Sequence, residues 1–166
     1  MTEPKTPDRH VLAVGVFDLF HVGHVRLLKR ARSLGTRLFV VVNSDALTAQ
    51  YKRQPVYDEH CRLEIIKACR FVDDAWISDT FDIKPFIELR DIRLIVHGDE
   101  WERSSYLKQI QLDENFLLRK DVDLFLLPYT ASISTTSILD KIISQHAPAR
   151  AAPHSSLNGA AARGNI

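Results

Sequence analysis

Two histidines three residues apart, His21 and His24, stand where an apolar stretch ending at Phe17 gives way to a helical pattern, with Gly23 between them. That junction is where an α/β protein holds phosphate. The start of a helix presents unpaired backbone N–H groups and the positive end of the helix dipole, and two imidazoles add side-chain donors at the same place. Glycine at position 23 leaves the backbone bare, so a phosphate can approach closely. A metal site would need further ligands, and no Cys, His or Asp cluster stands nearby at a familiar spacing.

Further groups suited to anions lie elsewhere in the chain. The hydroxyl run Ser132-Ile133-Ser134-Thr135-Thr136 precedes apolar positions at Ile138, Leu139, Ile142 and Ile143. Hydroxyls there cap a helix, and a capped helix start also binds anions. Lys52 and Arg53 fall between Asp45 and Pro55, in a loop able to close over phosphates. In His97-Gly98-Asp99-Glu100-Trp101 the glycine admits a ligand, and Glu100 is favoured as acceptor of ribose hydroxyl bonds. Trp101 reads equally well as core.

These groups need a scaffold, and the pattern between them supplies one. Val11 to Phe17, Arg37 to Val42, Ala75 to Ser78, Leu94 to His97 and Leu124 to Leu127 are short runs rich in Val, Ile, Leu and Phe, as strands covered on both faces require. Helical patterns separate them. Val25, Leu27, Leu28, Ala31 and Leu34 form one stripe, with Gly35 as its stop; Leu63, Ile65, Ile66 and Cys69 form another; Pro85 to Leu89, Tyr106 to Leu118 and Ser137 to Ile143 complete the set. The alternation predicts an α/β chain with a single doubly wound, Rossmann-like domain: a five-stranded parallel sheet with helices on both faces and ligands beyond the C-terminal strand ends. The domain is expected over 10–146. Residues 1–9 read as a loose leader, and 147–166, rich in Ala, Pro, Arg, Ser, Gly and Asn, as a tail or a linker to a further C-terminal domain.

Composition narrows the function. With 22 basic and 21 acidic residues among 166, the net charge of +1 provides no field to recruit nucleic acid or an anionic membrane. No apolar run approaches the roughly twenty residues of a bilayer crossing, and no charged-then-apolar leader is read at the start of the chain, so a cytoplasmic protein is expected. Cys61 and Cys69 are separated by about 12 Å of helical rise and are read as reduced packing residues.

The motif Gly15-x-Phe17-Asp18-x-x-His21-x-Gly23-His24 resembles the signature of the nucleotidylyltransferase superfamily, in particular of cytidylyltransferases acting on small phosphorylated alcohols such as glycerol-3-phosphate. Val42-Asn43-Ser44-Asp45, Arg62 spaced before Arg70-Phe71-Val72-Asp73-Asp74, His97-Gly98-Asp99-Glu100-Trp101 and Ile133-Ser134-Thr135-Thr136 follow in the family's order over about residues 11 to 143. The resemblance implies transfer of CMP from CTP to a small phosphate- or phosphonate-bearing alcohol, with Mg²⁺ accompanying the triphosphate, in a homodimer. It implies catalytic roles for His21, His24 and Lys52. Gly15, Val16, Phe17, Arg70, Gly98 and Glu100 would join the two histidines in binding the nucleotide, with Thr130, Ser134, Thr135 and Thr136 on the opposite side. Asp18, Arg62 and Tyr129 would hold the acceptor.

One departure bears on the acceptor. Enzymes acting on phosphate esters read Arg-Thr-x-Gly-Ile-Ser-Thr-Thr before the last helix, whereas this chain has Tyr129 in place of the arginine and Ser132 in place of the glycine. A bidentate cation is thereby exchanged for a ring and one hydroxyl. The change, with the linker-like tail, is similar to cytidylyltransferase domains of phosphonate antibiotic pathways such as that of fosfomycin, which makes 2-hydroxyethylphosphonate the favoured acceptor and glycerol-3-phosphate the alternative. An adenylyltransferase using ATP and a non-catalytic nucleotide sensor are the remaining readings.

Overall fold

The computed structural model describes residues 8–128 and 133–146. Strands β1 (His10–Gly15), β2 (Arg37–Asn43), β3 (Asp74–Ser78), β4 (Ile92–Gly98) and β5 (Asp123–Leu127) alternate with helices α1 (Val22–Ser33), α2 (Asp45–Thr48), α3 (Glu59–Ala68), α4 (Lys84–Leu89), α5 (Arg103–Gln109), α6 (Glu114–Lys120) and α7 (Thr135–His146). The five strands form one parallel sheet in the order β3-β2-β1-β4-β5, which is the doubly wound architecture expected from the alternation.

The pleat explains why nearly continuous apolar strands are needed. Leu12, Val14, Phe39, Val41 and Ile95 face a core that includes Ile87 of α4, Leu107 of α5 and Phe116 of α6. Their neighbours Val11, Ala13, Leu38, Val40 and Val96 face a second core with Leu28 and Ala31 of α1 and Ile66 of α3. Successive side chains point to opposite faces, so a strand buried on both must be apolar at every position.

Besides the short α2, which the sequence reading did not anticipate, two helices differ from it. The pattern from Tyr106 to Leu118 is two helices, because Gln111 takes a left-handed φ of 54°, Leu112 N–H donates back to Leu107 O at 2.9 Å, and Asp113 caps the new start by accepting from Phe116 N–H at 2.6 Å. The first helix does end next to Gly35, but Leu34 closes it in right-handed geometry and no described glycine has positive φ. Gly35 serves space instead: a Cβ there would fall 2.2 Å from the carbonyl oxygen of Arg9. Arg9 belongs to the ordered framework, since that carbonyl accepts from Thr36 N–H at 2.9 Å. Residues 147–166 lie outside the described residues. No described helix is long and apolar enough to cross a membrane.

The connections set the position of the cleft. From β1 the chain winds outward through β2 to β3, then returns to place β4 on the other side of β1. Connections leaving β1 and β4 therefore diverge, which opens a crevice at their C-terminal ends.

Candidate active site

The crevice has a volume of about 480 Å³ and is lined by the end of β1, the start of α1, the 48–55 segment, the end of β4 and the start of α7. Gly15, Val16, Phe17, Asp18, His21, His24, Lys52, Gly98, Glu100, Ser134, Thr135 and Thr136, all singled out in the sequence, line this one space.

The imidazoles themselves build the helix start. His21 is the residue before α1, in extended geometry, and its Nδ1 accepts from the N–H of Gly23 at 3.1 Å. His24 Nδ1 in turn accepts from the N–H of His21 at 3.4 Å. A nitrogen that accepts from a backbone N–H carries no proton, which leaves Nε2 as the N–H donor of each neutral ring. The rings stack with centroids 3.9 Å apart. Burial pushes His24 down to about 3, with the neighbouring His21 ring and Lys52 adding to the effect; burial also lowers His21. Both are therefore neutral donors at physiological pH. The space at Gly23 is already occupied by the first ring, since a Cβ there would lie 2.8 Å from His21 Cε1.

The β1–α1 turn is strained, and polar bonds hold it. Phe17 and Leu19 have φ of 56° and 44°, a region that costs a non-glycine residue roughly 1–3 kcal/mol. Between them Asp18 is buried, and its carboxylate accepts from the N–H groups of Leu19, Val56 and Tyr57 at 3.0–3.1 Å. Asp18 thus fastens the far end of the segment carrying Lys52 and Arg53. The near end leaves α2, where Lys52 N–H donates to Thr48 O at 2.9 Å. Both cations line the crevice.

Arg62 stands apart from the other expected site residues, since it does not line the crevice. Its side chain is fully buried, beneath the cleft rather than facing it, and every arm of the guanidinium is engaged. Nε donates to Tyr57 O at 3.0 Å, NH1 to Val16 O at 2.6 Å and NH2 to Asp45 Oδ1 at 2.6 Å. A group so placed ties the β1–α1 turn, the start of α2 and the segment before α3 together. Arg70 is also displaced: it is exposed, stacks 5.7 Å over Phe71 and does not line the crevice. Tyr129 and Thr130 lie outside the described residues.

At the opposite wall, Ser134 and Ser137 exchange bonds across the first turn of α7. Ser134 Oγ accepts from Ser137 N–H at 3.0 Å, and Ser137 Oγ accepts from Ser134 N–H at 2.9 Å. Thr135 Oγ1 donates to the carbonyl of Asp18 at 3.0 Å, which seats α7 against the α1 start. Trp101 packs against the core. Among the lining residues that the sequence reading did not single out as site members are His97, Arg26 and Arg30. The arginines sit four apart on α1, the spacing that puts side chains on one helix face, but exposed helical arginines give no signal until the facing wall is known.

A family model described as cytidylyltransferase-like matches residues 12–141, and the chain belongs to that family. It is 34% identical over 146 residues to the ethanolamine-phosphate cytidylyltransferase of Arabidopsis thaliana, covering 84% of this chain and 34% of the relative. It is 31% identical over 136 residues to the glycerol-3-phosphate cytidylyltransferase of Bacillus subtilis, covering 81% and 97%. The FAD synthase of Methanoculleus marisnigri is 33% identical over 141 residues, covering 83% and 91%. Among solved structures, the lipopolysaccharide core biosynthesis protein of Thermoplasma volcanium superposes with a TM-score of 0.61 at 27% identity, covering 74% of this chain and 98% of that one. The chain spans about a third of the length of the first of these curated relatives.

Proposed function

We propose that this protein transfers CMP from CTP to a small alcohol bearing a phosphate or phosphonate, releasing pyrophosphate. The observation that carries the reading is the convergence of two neutral imidazole N–H donors, the start of α7 and the cations of the 48–55 segment on one crevice, in a chain of the cytidylyltransferase-like family. An anionic oxygen of the acceptor forms the new bond to the α-phosphorus. The bond from that phosphorus to the bridging oxygen breaks, and pyrophosphate leaves with the electron pair.

Such an oxygen is already ionised, so no general base is required. The protein's work is to align two anions and stabilise charge on the phosphoryl oxygens. His21 and His24 donate from Nε2, the α7 N-terminus offers its N–H groups, and Lys52 offsets the charge of two approaching anions. Among the described residues no group of three or more His, Cys, Asp or Glu forms a metal cage. Mg²⁺ would accompany the triphosphate as part of the substrate, held on its oxygens and by water. The acceptor favoured is 2-hydroxyethylphosphonate, because Tyr129 replaces the arginine that a doubly charged phosphate ester would use.

The second reading is adenylyl transfer from ATP, supported by likeness to an enzyme named for making FAD. Pyrophosphate release with each of CTP, ATP, GTP and UTP, against glycerol-3-phosphate, ethanolamine phosphate and 2-hydroxyethylphosphonate, separates the two. Turnover with CTP and the phosphonate is expected. Turnover confined to ATP would replace this reading with the second, and a preference for glycerol-3-phosphate would overturn the acceptor.

A further inference from the structure

Helix α1 gives the crevice a second cationic wall, apart from the one made by Lys52 and Arg53. The helix contains Arg26, Lys29, Arg30 and Arg32 and no acidic residue, and Arg26 and Arg30 line the crevice. Their spacing of four puts both guanidiniums on one helix face, where like charges repel unless an anion lies between them. Neither is neutralised within the described residues. Arg26 forms no hydrogen bond or ion pair among them, and Arg30 donates to the carbonyl of Pro128 at 3.4 Å, which leaves most of its five donors open. The acids of the crevice are engaged elsewhere. Asp18 spends its carboxylate on three backbone N–H groups, and Glu100 folds back over Gly98, where a Cβ would fall 2.3 Å from its Oε2.

This wall also adjoins the start of α7. Thr135 Oγ1 donates to Asp18 O at 3.0 Å, a Cβ on Gly23 would lie 3.5 Å from Ile133 Cγ2, and Arg30 touches the chain just after β5. Lys52 stands on another side, close enough to His24 and His97 to disfavour their charged forms. The histidines occupy the start of α1, and the next cations along that helix are Arg26 and Arg30, about 3 and 9 Å of helical rise beyond His24. A nucleotide whose reacting phosphate lies at the histidines carries most of its charge farther out. In an in-line displacement that charge leaves on the side away from the incoming anion.

Resting on the transferase reading above, we propose that Arg26 and Arg30 seat the two outer phosphates of the nucleotide against the start of α7 and hold the pyrophosphate as it leaves. When the bond from the α-phosphorus to the bridging oxygen breaks, the electron pair stays on that oxygen, and the guanidinium of Arg26 offsets the charge with paired donors. The acceptor's phosphate or phosphonate is then the business of Lys52.

Inorganic pyrophosphate and a nucleoside monophosphate dissect the seat, because the first carries only the outer phosphates and the second only the inner one. Calorimetry on the full chain compares both with the triphosphate that supports turnover, in the wild type, Arg26→Gln and the double variant Arg26→Gln/Arg30→Gln. Glutamine keeps the helix propensity of an exposed arginine, so the fold is retained. The Kd of the triphosphate and of pyrophosphate should rise about tenfold or more in Arg26→Gln, the scale of a lost charge-assisted bond, and further in the double variant. The Kd of the monophosphate and KM for the acceptor should stay within about twofold, and Arg26→Lys should recover part of the loss. Unchanged pyrophosphate binding overturns the proposal, as does equal weakening of monophosphate and triphosphate or a rise confined to the acceptor's KM. Wild-type turnover keeps the two levels apart: an active enzyme whose variants bind pyrophosphate normally defeats only the seat, whereas a wild type that neither binds nor turns over CTP, ATP, GTP or UTP removes the transferase reading and the seat with it.

Discussion

At the residue scale the two histidines do two jobs at once, and the jobs constrain each other. Each Nδ1 is spent on a backbone N–H of the α1 start, so each Nε2–H is fixed as a donor without a carboxylate to orient it. Replacing either by alanine removes a preorganised donor, and kcat should fall at least about a hundredfold. A double variant turning over near the wild-type rate would exclude this site assignment. The same burial has a consequence for stability. Because His24 is pushed from 6.5 down to about 3 in the fold, the unfolded chain takes up a proton there as pH falls below 6.5 while the folded chain does not. Stability contributed by the neutral ring is complete above that value and declines as pH falls, by at most about 1.4 kcal/mol per pH unit. Thermal unfolding at pH 7 and pH 5 should show a drop of about 1–2 kcal/mol that shrinks in His24→Gln; identical slopes in the two proteins would contradict the burial of a neutral imidazole.

At the scale of elements, the segment between α2 and α3 matters because it brings Lys52 and Arg53 over the cleft. It is held at one end by α2, whose Ser44 cap accepts from Leu47 N–H at 3.1 Å, and at the other by Asp18 and Arg62. Arg62 resembles a keystone more than a ligand. Its loss as Arg62→Met would strand the Asp45 carboxylate and two carbonyls, and should cost about 3–5 kcal/mol, read from the denaturant midpoint at constant slope. Asp18→Ala should cost about 3 kcal/mol by leaving three N–H groups unpaired. It should also speed tryptic cleavage after Lys52 and Arg53, since the segment loses its far anchor. A cost below about 1 kcal/mol for Arg62→Met, or unchanged cleavage in Asp18→Ala, would show that other contacts hold the segment.

At the scale of the whole molecule, the seating of α1 against the sheet at its far end contributes stability rather than shaping the site. Gly35 lets the chain pass the Arg9 carbonyl at the opposite end of α1, and Gly35→Ala would have to displace backbone there. A loss of about 1–3 kcal/mol is expected, with KM for the nucleotide within about twofold, measured by thermal unfolding and steady-state kinetics. A large rise in KM at unchanged stability would mean that the end of α1 communicates with the cleft by a route other than packing.

What the chain determines alone is clearest where the information is local. Apolar runs from Val11 to Leu127 at strand length, broken by helical stripes, prescribe a parallel sheet because only strands covered on both faces need such runs. The histidine pair, Gly23 and the hydroxyls at 134–136 mark two helix starts by composition. Only the tertiary structure decided which charges face ligand. Arg62 and Arg70 lie in one stretch of sequence, yet one is fully buried in a three-way clamp and the other is exposed on Phe71, because the orientation of α3 is fixed by its packing on β2 and β3. Likewise His97, Arg26 and Arg30 acquire meaning only from walls contributed by distant elements. Periodicity reports the local backbone and the face an element buries; a cavity is a relation between elements, and no single segment of sequence contains it.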